Sequence, residues 1–471
     1  MGQEISDSHF QAEDFDAFRQ RLQDETRLLQ QWFDDGMFPR GEHVVGFELE
    51  AWVVDQAARP APINEALLQR LADPLVVPEL ARFNLEFNGT PQRLSGAAFS
   101  LLADELQHTW GRCNRLAGEW NARLAMIGIL PTVVEGDLNP GNMSSMLRYL
   151  ALDEQLRLLR DGTPVQVDIN GRDRLRFSHK DVMLESATTS FQIHLKVDAD
   201  RAGRFYNAAK VASAAMVAVS ANSPYLFGAE LWEETRIPLF EQAVPVIGGE
   251  RVKRVTLGTG YVDSIIDCFA ANLNNHPVLL PELMEDSGEQ LLHLRLHNGT
   301  IWRWNRPLIG FDRLNRPHIR IEHRVVPAGP TVVDSVANAA FFVGLVCALA
   351  NLPEPPEKRL PYAQARENFY RAAHYGLAAE IRWLDGRRVG LKQLIRDELL
   401  GLARTGLDKL AIDPEESGYW LGIIAERVRT GQNGASWQRA WVRCHGVDMA
   451  ALTESYLERQ ESLSAVHEWT L

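Results

Sequence analysis

Cysteine is scarce in this sequence. The 471 residues include four cysteines, which are far apart: Cys113, Cys268, Cys347 and Cys444. Structural zinc sites and redox dithiols need cysteines at close spacing, and small secreted domains need many of them. We therefore expect four free thiols, no disulfide, and a protein of the reducing cytoplasm.

The sequence also lacks an excess of positive charge and a membrane-spanning segment. Its formal net charge of -13 at pH 7 disfavours binding to nucleic acid or to an anionic membrane, although a local basic pocket for a nucleotide phosphate stays compatible with it. The longest apolar run, residues 336–352, contains Asn338 and is short for a membrane span, so we predict a core helix. The first residues show no signal-peptide pattern. Small soluble ligands fit this composition best.

Loops that cradle phosphates are missing as well. There is no Gly-x-x-x-x-Gly-Lys-Ser/Thr sequence, and no Gly-x-Gly-x-x-Gly sequence follows a predicted strand. The segment TLGTGY, with Gly258 and Gly260, could bring backbone close to a phosphate, but a tight turn explains these glycines more simply. A nucleotide would therefore have to be held by the sheet itself.

Alternating apolar and polar residues, typical of half-buried strands, are present in four segments. These are HVVGFELEAWVVD (43–55), ARFNLEFNGT (81–90), TTSFQIHLKVDAD (188–200) and PHIRIEHRVV (317–326). Helical spacing covers residues 14–33, 95–128 with Ser95 as N-cap, and 208–221, and a short strand is expected near residues 129–136. After Thr331 the pattern is almost wholly helical, apart from the linker NLPEPPEKRLP. This order predicts an α+β fold, with an antiparallel sheet, helices packed on one face and a helical C-terminal region.

The polar faces of the four predicted strands carry an unusual set of side chains. They are Glu48 and Glu50, Glu86 and Asn88, Gln192 and His194, and Arg320, Glu322 and Arg324. Carboxylates with one imidazole and no thiolate suit Mg²⁺ or Mn²⁺, and interleaved arginines suit phosphate oxygens. Taken singly, a Glu-x-Glu pair is more often a solvated strand face, and His194 alone would be a structural histidine. Together, in one sheet, they predict a site for metal-bound phosphate.

Five motifs lie in order along residues 44–345: GFELE, LEFN, SFQIH, ANSPYLFG with the later ETR, and RIEHR. By these motifs the segment resembles the type 2 glutamate-cysteine ligases, which are related by fold to glutamine synthetase. The resemblance implies a funnel-shaped antiparallel sheet with metal-bound ATP at its centre. Together with the helical pattern of the C-terminal part, it predicts a catalytic domain over residues 1–350 and a helical region, 351–471, packed on it. By resemblance, the ligands of Mg²⁺ or Mn²⁺ are Glu48, Glu50, Glu86, His194 and Glu322. Arg324 resembles the catalytic residue that meets the transferred phosphoryl group, and Arg320 and Arg236 are further candidates for binding phosphate or a substrate carboxylate.

The implied reaction is an ATP-dependent ligation. ATP would phosphorylate the side-chain carboxylate of glutamate, and cysteine or another amine would attack the acyl phosphate. The segments HIRIEHRVVPAGP and TIWRWNRPLIGFD depart from the usual family pattern, so the sequence leaves the amine and the donor open. Two other functions stay open: a phosphotransferase of the guanidino-kinase kind, and a non-catalytic nucleotide or metal-binding protein. The expected partners are small molecules, with neither nucleic acid nor membrane, and assembly into a homo-oligomer is left open.

Overall fold

A curled antiparallel sheet lies at the centre of the computed structural model, which describes residues 4–246, 249–285 and 288–471. Its strands are β1 (Val44–Val54), β2 (Val76–Pro78), β3 (Asn84–Asn88), β4 (Gln92–Arg93), β5 (Arg123–Ala125), β8 (Phe191–Val197), β11 (Asn305–Phe311) and β12 (Pro317–His323). The order across the sheet is β11-β12-β8-β1-β3-β2, and β4 and β5 pair with opposite ends of β1. All four strands with clear alternation in the sequence therefore belong to one sheet.

Three two-stranded sheets lie outside the central one. They are β6 (Val165–Asn170) with β7 (Arg174–His179), β9 (Tyr225–Leu226) with β10 (Ala229–Glu230), and β13 (Glu380–Arg382) with β14 (Arg388–Gly390). The last of these interrupts the C-terminal region, which is otherwise helical as predicted.

Helices surround the central sheet. Their bounds are α1 Ala12–Asp34, α2 Asn64–Leu71, α3 Ala98–Ala117, α4 Leu147–Leu158, α5 Ala202–Ser220, α6 Arg236–Ala243, α7 Ile266–Asn275, α8 Leu292–Gly299, α9 Val332–Ala350, α10 Pro356–Arg359, α11 Tyr362–Tyr375, α12 Leu391–Leu394, α13 Leu400–Lys409, α14 Pro414–Thr430, α15 Gly434–His445 and α16 Met449–Glu461. The apolar face of β1 is buried, where Phe47 stacks on Phe191 at 5.5 Å between ring centroids. Helix α5 packs on β12 and α9 on β8, which leaves the opposite, carboxylate-bearing face free to line a cavity.

Helix α9 is the core helix predicted from the apolar run. Among the residues that the structure describes, it alone is long and apolar enough to cross a membrane, but 94% of its apolar window is buried inside the protein. It packs against α5, α13 and α14. The approach of α13 is close because Gly406 has no side chain, and a Cβ at this position would overlap the carbonyl oxygen of Gly344.

Some local predictions were wrong. The predicted helix 95–128 is shorter, because α3 spans Ala98–Ala117 and Ser95 does not cap it. The strand expected near residues 129–136 lies earlier, as β5, and Pro131 offers no N–H for a ladder in the predicted segment. Asn121 adopts a left-handed conformation with φ of 55° and turns the chain from α3 into β5.

Polar contacts join the C-terminal helices to the rest of the molecule. Arg427 on α14 donates to Asp334 on α9 over 2.8 Å, and both side chains are buried. On α16, Tyr456 Oη donates to the Met126 carbonyl over 2.7 Å, and Gln460 Nε2 donates to the Leu124 carbonyl over 2.9 Å. The predicted division near residue 350 stays a prediction. All four cysteines are free thiols, and Cys444 is exposed.

Candidate active site

Three of the predicted metal ligands meet on the polar face of the sheet. His194 on β8 pairs directly with Glu322 on β12, and Glu48 lies two residues beyond the β1 partner of His194. His194 Nε2 lies 3.5 Å from Glu48 Oε1 and 3.8 Å from Glu322 Oε1. One ligand atom from each residue fits within 4.8 Å of the others. Neighbouring strands thus bring together side chains that are far apart in sequence.

The donor set of this group fits a hard divalent cation. His194 Nε2 is buried, and within the described chain it has no hydrogen-bond partner. Burial lowers the pKa of His194 to about 4, so its imidazole is neutral at pH 7, the form that binds metal. Burial alone would raise the pKa of Glu322, but the nearby Arg306 and Arg324 guanidinium groups hold it well below its usual range. Two carboxylates and a neutral imidazole suit Mg²⁺ or Mn²⁺.

The other two predicted ligands form a second carboxylate group beside the first. Glu50 on β1 pairs in register with Glu86 on β3, and neither belongs to the group of Glu48, His194 and Glu322. Glu79, which the sequence did not suggest, lines the same cavity of about 190 Å³ as these acids. Burial, together with nearby carboxylates that include Glu48 and Glu79, raises the pKa of Glu86 to about 8. A bound cation would relieve this repulsion.

Arg324 faces both carboxylate groups. Its Nη1 donates to Gln192 Oε1 and lies 3.4 Å from Glu322 Oε2. Gln192 in turn donates to Glu50 Oε1 over 2.7 Å. The side chain of Arg324 is 8% exposed, and its Nε has no partner in the part of the chain that the structure describes. Arg324 also lines the cavity that contains the acids, so its planar guanidinium can receive an anionic oxygen there.

Arg306 is a site residue that the sequence did not reveal. From β11 it pairs in register with Glu322 and binds it with two hydrogen bonds, Nε to Oε2 over 2.8 Å and Nη2 to Oε1 over 2.9 Å. Its Nη1 also donates to the Gly299 carbonyl over 3.1 Å. Pro307 interrupts the alternation next to it, and Trp302 and Trp304 precede the strand rather than belong to it. The strand pattern was therefore not recognised.

The remaining predicted arginines occupy different positions. Arg320 lines an adjoining cavity of about 110 Å³ together with Glu48 and Glu322. Arg236 is buried, and each of its three nitrogens donates to a protein acceptor: Nε to Glu234 Oε1 over 3.1 Å, Nη1 to the Arg324 carbonyl over 3.2 Å, and Nη2 to the Val325 carbonyl. These contacts are those of a residue that positions the backbone carrying Arg324. They lend no support to the predicted contact between Arg236 and phosphate.

Aromatic, histidine and glycine residues near the site differ in their surroundings within the fold. Trp304 is fully buried and donates to Glu241 over 2.7 Å, whereas Trp302 lines the cavity that contains the acids. His323 binds Asn305 Oδ1 over 2.7 Å. Gly258 has a φ of 99°, which supports the tight turn expected of TLGTGY.

Two solved structures resemble this chain in fold. Glutamate-cysteine ligase from Francisella tularensis, in complex with AMP, is 13% identical, with a TM-score of 0.59 over 91% of each chain. A bifunctional glutathione synthetase from Pasteurella multocida is 12% identical, with a TM-score of 0.54 over 89% of this chain and 53% of that one. These likenesses confirm the predicted α+β fold class of glutamine synthetase-like type.

A comparison with curated proteins finds no match. The model of glutamate-cysteine ligase family 2, in contrast, matches residues 44–458, which include every predicted site residue. The chain therefore belongs to glutamate-cysteine ligase family 2 and is a carboxylate-amine ligase.

Proposed function

We propose that this protein is an ATP-dependent ligase that joins the side-chain carboxylate of glutamate to an amine through an acyl phosphate. The observation that carries the proposal is the convergence of Glu48, His194 and Glu322, with Arg324 Nη1 3.4 Å from Glu322. Family membership supports glutamate as donor and cysteine as one candidate acceptor. The AMP bound by the Francisella tularensis enzyme supports a nucleotide substrate.

The charges of the cavity support a metal-dependent reaction. Five carboxylates line it, from Glu48, Glu50, Glu79, Glu86 and Glu185, against the three guanidinium groups of Arg148, Arg306 and Arg324. These carboxylates cannot all be ionised side by side without bound cations, since burial and neighbouring carboxylates raise the pKa of Glu86 to about 8. Glu48, His194 and Glu322 are the residues that would hold Mg²⁺ or Mn²⁺, with Glu50, Glu79 and Glu86 as candidates for a second ion. When bound, the metal neutralises charge on the phosphate oxygens.

The side chains of the chain itself supply orientation and charge stabilisation. A carboxylate is a poor acyl donor, and phosphorylation gives it a leaving group. Arg324 can follow the negative charge on the transferred phosphoryl group, because its fork can bind two oxygens. Gln192 holds Arg324 in place, and the bidentate contact from Arg306 fixes the orientation of Glu322. These rigid contacts are what a preorganised site requires.

The test is product analysis with the purified protein. It is incubated with ATP, Mg²⁺, glutamate and a panel of amines that includes cysteine, and the products are identified by mass spectrometry. We expect ADP and amide in equal amounts, and a loss of about 100-fold or more in turnover for His194→Ala. His445→Ala, at an exposed position on α15, is the matched control and should keep wild-type turnover.

Two outcomes would contradict the proposal. A stable phosphorylated product without amide would indicate the phosphotransferase alternative. Nucleotide binding without any turnover across the panel would indicate a non-catalytic binding protein.

A further inference from the structure

Glu185 is an acidic side chain that neither carboxylate group uses. It belongs to a 3₁₀ segment, Val182–Ala187, that leads towards β8. It lines the cavity that contains Glu48 and Glu86, and also the smaller cavity of about 30 Å³ next to Arg324. Within residues 4–246, 249–285 and 288–471, its carboxylate has neither a hydrogen-bond nor an ion-pair partner. This carboxylate opens onto the cavity and can take a donor from outside the chain.

A second side chain in the same cavity also lacks a partner. Tyr149, on α4, is 8% exposed and lines the cavity with Glu185. Its hydroxyl forms no hydrogen bond in the described part of the chain, although the guanidinium group of Arg148 lies 5.3 Å from its ring centroid. The carboxylates of Glu79, Glu86 and Glu185 are close enough to act on it electrostatically. The hydroxyl opens onto the cavity, so it can accept a hydrogen bond from a bound ligand.

The positions and charges of Glu185 and Tyr149 indicate the charge of the ligand and its place in the reaction. The carboxylates near Tyr149 outnumber its one neighbouring guanidinium group, that of Arg148, which favours a positively charged donor over an anion. Glu185 and Arg324 line both cavities together, so a group bound at Glu185 lies next to the group that Arg324 meets. The amine acceptor must reach the carbon that is being activated, whereas the amino group of a glutamate donor lies four bonds away from that carbon.

We infer that Glu185 and Tyr149 bind the protonated amino group of the acceptor, with Glu185 as the ion-pair partner and the Tyr149 oxygen as a second hydrogen-bond acceptor. The bound ammonium gives one proton to the Glu185 carboxylate, and the neutral amine then attacks the acyl carbon. The bond from that carbon to the phosphate oxygen breaks as the C–N bond forms, and the departing phosphate takes the second proton. The acceptor is therefore a primary amine that is cationic at neutral pH. This inference rests on the proposed ligase function and adds the acceptor site to it.

The test compares cationic and neutral nucleophiles in the Glu185→Gln and Tyr149→Phe variants. Cysteine and methylamine are cationic at pH 7, whereas hydroxylamine is largely neutral and traps an acyl phosphate as the hydroxamate. With ATP, Mg²⁺ and glutamate, we expect Glu185→Gln to lower the ratio of kcat/KM for the cationic amine to that for hydroxylamine by at least about 10-fold, the loss typical of a charged hydrogen bond. Tyr149→Phe should lower the same ratio by a smaller factor, about 3-fold or more, because the Tyr149 hydroxyl carries no charge of its own.

Controls separate this inference from a structural role. Glu185→Asp should recover part of the ratio, and Glu135→Gln, at an exposed position, should leave it unchanged. An equal loss with both nucleophiles, or no loss with either, would overturn the acceptor site. A KM for glutamate that rises about 10-fold, with an unchanged ratio, would instead assign the pair to the amino group of the donor. A wild-type protein that forms neither amide nor hydroxamate would refute the ligase function itself.

Discussion

At the scale of single residues, Arg324 is the strongest test of the chemistry. Because its fork follows charge that develops during phosphoryl transfer, Arg324→Ala should lower turnover by about 100-fold or more, at least ~2.7 kcal/mol, while nucleotide affinity falls much less. Arg324→Lys should restore only part of the lost turnover, because an ammonium group is a point charge and cannot bind two oxygens at once as a guanidinium does. Steady-state kinetics and nucleotide titration measure both effects, with the exposed Arg313→Ala as control. A weaker ATP affinity with an unchanged maximal rate would make Arg324 a ground-state binding residue.

Arg306 tests whether a cation binds at Glu322. Arg306→Met removes both hydrogen bonds to the buried Glu322, so the free energy of unfolding should fall by about 3 kcal/mol in metal-free buffer. Saturating Mg²⁺ should recover part of this loss, because the ion would pair again with Glu322. Urea unfolding with and without Mg²⁺ measures the difference. The same loss in both buffers would argue against a cation at this carboxylate.

A site residue could be predicted from the sequence only if it lies in a segment with clear alternation. Glu48, His194 and Glu322 could be found because each sits within a strand whose opposite face is apolar. Glu79 could not, since it follows β2 in a loop without periodicity, and Arg306 could not, since Pro307 adjoins it. Contacts between strands, such as the pairing of Arg306 with Glu322, exist only after the chain has folded.

At the scale of elements, Glu241 links α6, the segment before β11, and α11. It accepts hydrogen bonds from Trp304 Nε1 and Tyr370 Oη, both over 2.7 Å. Burial raises the pKa of Glu241 from its ordinary 4.5 to about 7, although both hydrogen bonds oppose the shift. The folded protein therefore binds this proton more tightly than the unfolded chain does. The resulting stabilisation is fully present below pH 4.5, the unfolded pKa, and is lost as the pH rises through about 7, the folded pKa.

Glu241→Gln should remove this pH dependence. Because glutamine does not titrate, the stability of the variant relative to wild type should increase by about 3 kcal/mol between pH 4.5 and a pH well above 7. Urea unfolding of both proteins at several pH values gives this difference. A difference that does not change with pH would mean that Glu241 titrates normally in the folded protein.

Strands with clear alternation could be predicted from the sequence, whereas the shortest strands could not. β1, β3, β8 and β12 alternate clearly because one face of each packs against apolar groups. β4 and β5 have two and three residues, too few to show a period. The β6–β7 hairpin did leave a signal, since Val165, Val167 and Ile169 alternate before Gly171, and this signal was missed.

At the scale of the whole molecule, the buried pair of Arg427 and Asp334 predicts that the C-terminal helices and the sheet unfold together. Arg427→Met leaves Asp334 buried without its partner, which should lower the free energy of unfolding by about 3–5 kcal/mol. Circular dichroism and tryptophan fluorescence should report one transition, shifted equally in the variant. Two separate transitions would show that residues 351–471 form an independent unit.

The central claim is that ATP activates the side-chain carboxylate of glutamate as an acyl phosphate. Its most direct test uses glutamate labelled with ¹⁸O in that carboxylate, together with ATP, Mg²⁺ and the accepted amine. During ligation the carboxylate oxygen bonds to the γ-phosphorus, and the phosphate keeps this oxygen when the amine displaces it. Mass spectrometry should therefore find one ¹⁸O in each released phosphate. Amide formation with unlabelled phosphate would contradict the account.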